Sequence, residues 1–246
     1  MSKHFLISFF SITSLIICYI YSFPVYAYIA VFLFFLVMTA WGAFDIRLSY
    51  FVKTTCYIKN KPQKTVILTF DDGATTLTPR FLDTLKKFNA KAIFFCIGRQ
   101  VEKYPEIVKR IQNEGHIIGN HTFNHIPRNT FASTKTFIKE IEKTDAALAK
   151  LGIYTELFRP PYGITNPHIG KAIKLTNKKV VGWDIRSLDT VIQNEDALFK
   201  RIISKLSHGN IILMHDTNQH TLNILERLLR YLTENNYQIT TDLNLN

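Results

Sequence analysis

Cysteine is scarce in this chain: Cys18, Cys56 and Cys96 are the only three in 246 residues. An odd count without paired spacing suggests neither a disulfide framework nor a cysteine-based metal site. It leaves the compartment open, because many exported domains of this size contain no disulfide. Acidic residues are also in short supply, 19 Asp+Glu against 30 Lys+Arg, for a formal net charge of +11. The excess favours an anionic surface or ligand. The basic residues are spread along the chain rather than gathered on a recognisable motif, which argues against nucleic acid as a partner. Charge of either sign is missing altogether between Lys3 and Asp45. With 47% hydrophobic and 20% charged residues overall, a disordered chain is excluded. No internal repeat or low-complexity tract is found.

The uncharged stretch reads as a membrane segment. As one straight helix, His4 to Phe44 would be about 60 Å long, twice the ~30 Å hydrocarbon core. Two spans, 5–21 and 25–44, are more economical. Pro24 lacks an amide hydrogen and disfavours helix at Phe23, which supplies the break. Tyr19, Tyr21, Tyr26, Tyr28 and Trp41 fall near the interfaces. A signal peptide ending at Val25-Tyr26-Ala27 is the rival reading, and even its cleavage would leave the second apolar run as an anchor. Lys3 precedes the hairpin, Arg47, Lys53, Lys59, Lys61 and Lys64 follow it, and its turn carries no positive charge. Those flanks favour both termini, and the domain beyond, on the cytoplasmic side of the cell membrane. The expected organisation is an anchor over 1–46, a linker over 47–63 and one domain over 64–246.

From Thr65 onward, short apolar runs alternate with helical patterns. Val66–Phe70, Ala92–Cys96, His116–Gly119, Val180–Trp183 and Asn210–Met214 read as buried strands. Helices are expected from Thr78-Pro79 to about Phe88, from Pro105 to Gly115, and over Ser133–Leu151, Asp196–Leu206 and Thr221–Glu234. Continuous apolar strands between helices imply a mostly parallel sheet covered on both faces, open or closed into a barrel. Polar groups follow the strands: Asp71-Asp72, Asn120-His121, Trp183-Asp184 and His215-Asp216. Carboxyl ends of parallel strands face one way, and such folds build active sites there.

Adjacent Asp71 and Asp72 point in different directions, so one can bind a metal while the other handles a proton. A plain Asp-Asp-Gly turn, with Gly73 at positive φ, is the alternative for this segment alone. His121-Thr122-Phe123-Asn124-His125 places two imidazoles four residues apart, hence on one face of a helical turn, where they can share a cation. With Asp72 they would form a three-ligand site that leaves positions open, the pattern of a catalytic metal; a helix-capping or surface pair is the alternative for the two histidines alone. Zinc suits such ligands; cobalt, manganese and nickel are compatible. His215 ends an apolar strand, and the near-neutral pKa of a histidine fits a general acid; a satisfied core histidine is the alternative. Arg159-Pro160-Pro161-Tyr162-Gly163 is a stiff loop able to aim an arginine and a backbone amide at one spot.

In this order the pieces resemble the polysaccharide deacetylases, the carbohydrate esterase family 4 or NodB-homology domain. The resemblance runs from about Lys64 to Leu243 through five motifs: Thr69-Phe70-Asp71-Asp72-Gly73, His121 to His125, Arg159 to Gly163, Trp183 to Asp189, and Leu213-Met214-His215. It implies a distorted (β/α) barrel with fewer than eight repeats, an α/β fold here preceded by a transmembrane helical hairpin. It also implies a metal-dependent hydrolase that removes acetyl from N-acetylated sugars. Asp72, His121 and His125 then match the metal ligands, Asp71 the general base and His215 the general acid. Arg159 matches the arginine that orients the base, and Asp189 the acid that pairs with the catalytic histidine. The Tyr162 amide matches an oxyanion donor, while Trp183 and Leu213 resemble residues lining the acetyl pocket. Arg186-Ser187-Leu188-Asp189-Thr190 departs from the frequent Asp-x-x-Asp-Trp, and Ala74 replaces a frequent proline; both changes bear on the groove wall rather than on the metal or proton-transfer groups.

The partners expected are the lipid bilayer and an N-acylated aminosugar. A basic domain tethered to a membrane suits one linked to polyprenyl phosphate. Peptidoglycan or an exported polysaccharide is the alternative substrate. A non-catalytic, membrane-tethered glycan-binding module is the alternative class, and it would have no use for a base and an acid around a metal.

Overall fold

The computed structural model describes residues 2–59 and 64–244. Two helices come first, α1 (Lys3–Ile20) and α2 (Val25–Phe44), both long and apolar enough to cross a membrane. Ser2 caps α1 by accepting from the Phe5 amide, and Pro24 stands at the amino end of α2. They pack on each other and keep most of their apolar side chains exposed.

A short strand β1 (Thr54–Thr55) follows, then β2 (Thr65–Asp71), α3 (Thr78–Lys87), β3 (Ile93–Cys96), α4 (Gly98–Lys103), α5 (Pro105–Asn113) and β4 (Ile117–Asn120). The second half comprises α6 (Thr134–Ala149), β5 (Leu157–Phe158), α7 (Pro167–Leu175), β6 (Lys179–Val181), β7 (Ile185–Arg186), α8 (Glu195–Ile203), β8 (Asn210–His215), α9 (Gln219–Glu234) and β9 (Gln238–Ile239). Among the described residues, all nine strands pair in parallel, in the order β1-β6-β5-β4-β3-β2-β8-β7, with β9 beside the start of β2. Fewer than eight repeats thus curl into the partial α/β barrel that the alternating pattern implies.

Within the stretch 47–63 expected as a linker, Thr54–Thr55 and Tyr57 join this sheet; 60–63 lie outside the described residues. Thr54 and Thr55 pair with Val180 and Val181 of β6, and three residues later Tyr57 bridges to Asn210 of β8. The strip from Thr54 to Ile58 therefore spans the gap between the two edges, with the Ile58 amide donating to the Gly209 carbonyl at 2.8 Å. Helix α7 was not anticipated, although its signal is in the sequence: Asn166 caps the Ile169 amide and Pro167 occupies the first turn.

The period of two along the strands positions the site. Val66, Leu68 and Phe70 of β2 pack outward against the helices, as do Ile212 and Met214 of β8. Ile67 and Ile211 point into the barrel with Ile58, Ile93, Phe95 and Val181. Continuing that inner column upward brings Thr69 and Asp71 inside on β2, and Leu213 and His215 on β8. Asp71 and His215 are register partners.

Ile58 is 1% exposed inside the barrel. Its replacement in Ile58→Ala should lower the stability of the domain by about 2–4 kcal/mol through the lost apolar contact and the cavity left behind. In detergent-solubilised protein this would appear as a lower denaturant midpoint at unchanged slope. An unchanged midpoint would show that the strip does not close the barrel.

Candidate active site

Asp71 is the last residue of β2 and is 3% exposed. Its Oδ1 accepts from Arg159 Nη1 at 2.7 Å. The guanidinium is completely buried, and its other bonds fix it in place: Nη1 to Thr69 Oγ1 at 2.8 Å, Nη2 to the Gly182 carbonyl at 2.7 Å and Nε to the Val181 carbonyl at 3.0 Å. It also stacks 4.1 Å from the centroid of the Phe95 ring. Burial raises the pKa of Asp71, and the Arg159 charge offsets part of that rise. Burial so offset makes the carboxylate a better proton acceptor than a solvated one.

Asp72 turns away from its neighbour because its backbone is left-handed, φ 72°. The plain Asp-Asp-Gly turn weighed as the alternative would have put Gly73 in that conformation; it is Asp72 that adopts it, a region aspartate tolerates better than most residues. Asp72 Oδ1 lies 3.6 Å from His121 Nε2 and 3.5 Å from His125 Nε2. The two histidines converge, though not from a helical turn. They lie in the loop after β4, where Thr122 (φ 63°) and His125 (φ 52°) are also left-handed and bring the ring centroids to 4.7 Å. Tyr162 (φ 60°) and Leu188 (φ 63°) share this conformation, so non-glycine left-handed residues cluster at the site loops.

The triad fits a cation. Asp72 Oδ1 is buried with no hydrogen-bond partner. His121 Nδ1 meets the Arg159 carbonyl at 2.8 Å, which makes it the N–H and leaves the Nε2 lone pair aimed at the site. Burial, with the neighbouring His125, pushes the His121 pKa down to about 3, so the ring is neutral as a ligand must be. Donors ~2.1 Å from a tetrahedral zinc ion lie about 3.4 Å apart, which the carboxylate–imidazole separations match.

His215 faces the triad from β8, its Nε2 4.0 Å from Asp72 Oδ2. Its Nδ1 pairs with Asp189 Oδ1 at 2.8 Å, and its amide donates to Asp189 Oδ2 at 2.7 Å. Burial opposes the imidazolium, but the bond to Asp189 and its charge outweigh burial and raise the His215 pKa to about 9. Asp189 is itself fully buried and receives Ser187 Oγ at 2.8 Å and Thr221 Oγ1 at 3.0 Å. His220 Nε2 contacts its carbonyl.

Tyr162 is 42% exposed at the rim, with its ring 4.8 Å from that of His125. Gly163 beneath it is needed twice over: it has φ +71°, and a Cβ there would stand 2.4 Å from the Trp183 ring. Trp183 and Leu213 are buried together with Phe158 and Ile46 below the loop.

Several supporting residues were not anticipated. Asn120 accepts from the Thr122 amide at 2.9 Å, and Glu140 of α6 holds Asn124 through two bonds at 2.7 and 2.8 Å, which together shape the histidine loop. Asp216 is buried against Gly73 and Thr78, and burial raises its pKa to about 7. Ser187 and Thr221 hold Asp189. Only their place beside motif residues signals Asn120, Ser187 and Asp216 in the sequence; Glu140 and Thr221 join through packing.

A histidine with a pKa near 9 stays protonated through neutral pH and loses its proton as pH rises through that value. Any activity that needs His215 protonated should therefore fall on an alkaline limb. In Asp189→Asn that limb should move at least one unit toward lower pH, because the paired negative charge is gone. A limb left in place would show that Asp189 does not set the histidine's charge.

Comparison with known proteins agrees with this geometry. The polysaccharide deacetylase family model matches residues 58–181. The peptidoglycan-N-acetylglucosamine deacetylase PgdA of Listeria monocytogenes is 36% identical over 185 residues, covering 74% of this chain and 39% of that protein. The chain thus spans about two fifths of that relative's length. Peptidoglycan deacetylase PdaC from Bacillus subtilis superposes with a TM-score of 0.69 at 33% identity, covering 74% of this chain and 91% of the solved one. A family 4 carbohydrate esterase from Streptomyces lividans, solved with acetate, gives 0.69 at 30% identity over 74% and 95%. The fold likeness also extends to BA3943 of Bacillus anthracis, titled a pseudoenzyme of the same family, at 0.68 and 27% identity over 73% and 64%. Family model, relatives and superposed structures agree that the chain belongs to the polysaccharide deacetylase family.

Proposed function

We propose that this chain is a metal-dependent hydrolase that removes the N-acetyl group from an aminosugar. One arrangement carries the reading: a buried carboxylate clamped by Arg159 and a histidine held protonated by Asp189, on two sides of an Asp-His-His triad. Because the same fold occurs in a protein titled a pseudoenzyme, activity has to be argued from these groups rather than from the barrel.

Asp72, His121 and His125 would hold the cation, with zinc the ion best suited to two imidazoles and a carboxylate. Such an ion, when bound, polarises the amide carbonyl and makes water a stronger acid. Asp71, off the ligand set and fixed by Arg159, accepts the proton of the attacking water. His215 donates its proton to the departing nitrogen, without which an amine is too poor a leaving group. Acetate and the free amine are the products. The Tyr162 amide is the expected oxyanion donor, and Trp183 and Leu213 bound the space for the acetyl methyl.

The relatives named for peptidoglycan support an aminosugar of the wall type as the substrate, which requires the domain outside the membrane. The lysine and arginine flanks favour a cytoplasmic domain instead, and with it an aminosugar on a polyprenyl-phosphate carrier.

Acetate release from N-acetylglucosamine oligomers should be abolished by chelator and restored by zinc. Asp71→Asn should keep its metal while losing about 10²–10⁴-fold in rate, whereas Asp72→Asn should lose metal and activity together. Normal turnover in Asp71→Asn would remove it as the base. A phosphatase fused after Asn246 should be active in cells if the domain faces outward, and a fluorescent protein that matures only in the cytoplasm should glow if it faces inward.

A further inference from the structure

The hairpin is joined to the domain without a stalk, and it joins at the active-site face. Helix α2 has 20 residues, about 30 Å of helix, the thickness of a hydrocarbon core. Its last residue is Phe44, and Ile46 is already 3% exposed in the cluster that contains Trp183 and Leu213. Two residues reach at most about 7 Å. The Thr165 amide donates to the Ala43 carbonyl at 3.0 Å, which ties the end of α2 to the loop that carries Tyr162, and a Cβ on Gly42 would stand 2.2 Å from Tyr50, which packs it against the segment that follows the span. The start of α1 is fixed as well: the His4 amide donates to the Tyr50 carbonyl at 3.1 Å, and its ring lies 4.8 Å from that of Phe51. Tyr162 is three residues from Thr165, at most about 11 Å of chain. The rim therefore lies within about 15 Å of the end of the span, at or just above a headgroup layer some 5–8 Å deep.

The rim beside this junction has the chemistry of a membrane surface contact. The turn Pro127–Phe131 is tied to the same place, with Asn166 Nδ2 donating to the Thr130 carbonyl at 2.7 Å and Thr134 Oγ1 3.2 Å from His168 Nδ1. It leaves Phe131 72% exposed. From Pro127 to Lys139 the chain carries Arg128, Lys135 and Lys139 and no acid. All three cations are exposed, and no carboxylate pairs with them among the described residues. Aromatic rings prefer the interface, and lysine and arginine are drawn to anionic headgroups.

We infer that the mouth of the site rests on the bilayer that α1 and α2 cross, with Phe131 and its basic neighbours in the headgroup layer, and that the substrate is the aminosugar of a lipid-anchored glycan. The membrane contact stands on the junction and the rim alone; the substrate class also rests on the deacetylase reading. A glycan held by a lipid presents its first sugars within the ~15 Å that separates rim from span, whereas a strand remote from the bilayer would have to descend to a site with no stalk to reach it.

Two measurements on the full chain in vesicles containing phosphatidylglycerol test the two halves. An environment-sensitive dye on Phe131→Cys should be quenched by lipids spin-labelled near the headgroup several-fold more than the same dye on Tyr154→Cys, with the labelling of the natural thiols subtracted. Tyr154 is 84% exposed in the loop before β5, at the opposite end of the strands. Equal quenching at the two positions overturns the membrane contact. Arg128→Glu with Phe131→Ser should slow acetate release from N-acetylglucosamine diphosphate-linked to a polyprenyl chain by about fivefold or more, and leave release from soluble oligomers unchanged. Equal losses on both substrates would place these residues in the sugar groove and overturn the inference. Absence of acetate release from either substrate by the unsubstituted chain overturns the deacetylase reading and the substrate class with it, while the dye result decides the membrane contact by itself.

Discussion

The site depends on the buried pair of Arg159 and Asp71. Arg159 comes from the loop after β5, and its guanidinium reaches across the barrel to β2 while bonding the carbonyls that end β6. It thereby fixes three strands relative to one another at their carboxyl ends. Removing one partner of such a pair leaves an uncompensated charge in the interior, at a cost of about 3–5 kcal/mol. His121 is tied to the same pair by a neutral hydrogen bond, its Nδ1 bound to the carbonyl of Arg159 itself. Asp71, Arg159 and His121 are thus one connected unit.

Division of labour between the adjacent acids follows from backbone geometry. Asp71 remains in the strand and points into the barrel interior, where burial raises its proton affinity. Asp72 is the first residue out of the strand, and its left-handed φ swings the carboxylate toward the two histidines. A strand continued by one more residue would send it to the helical face. Opposite them, Asp189 spends both oxygens on four donors, two of them from His215, and so keeps an otherwise buried imidazole charged.

Much of this was legible in the sequence because it rests on local periodicity. Apolar runs ending in Asp71, His121 and His215 announce parallel strands with polar carboxyl ends, and the inward phase of Ile67 and Ile211 carries through to Asp71 and His215. What failed to show depends on pairings distant in sequence or on single φ angles. Two-residue strands such as β1, β5 and β7 are too short for a period, and their pairing comes from the edges they meet. The spacing of His121 and His125 suggested a helix, yet Asn120, Glu140 and two left-handed residues hold them in a loop instead. Residues 47–63 read as a linker because nothing local reveals that Ile58 is core.

The central claim is that Asp72, His121 and His125 hold the ion while Arg159 keeps Asp71 free to act as the base. Anomalous diffraction at the zinc edge from crystals grown with zinc and acetate tests this directly. The account predicts one peak, about 2.1 Å from Asp72 Oδ1 and from both Nε2 atoms, with acetate on its open side and Asp71 still paired to Arg159. A peak ligated by Asp71, or one lying away from the two histidines, would contradict it.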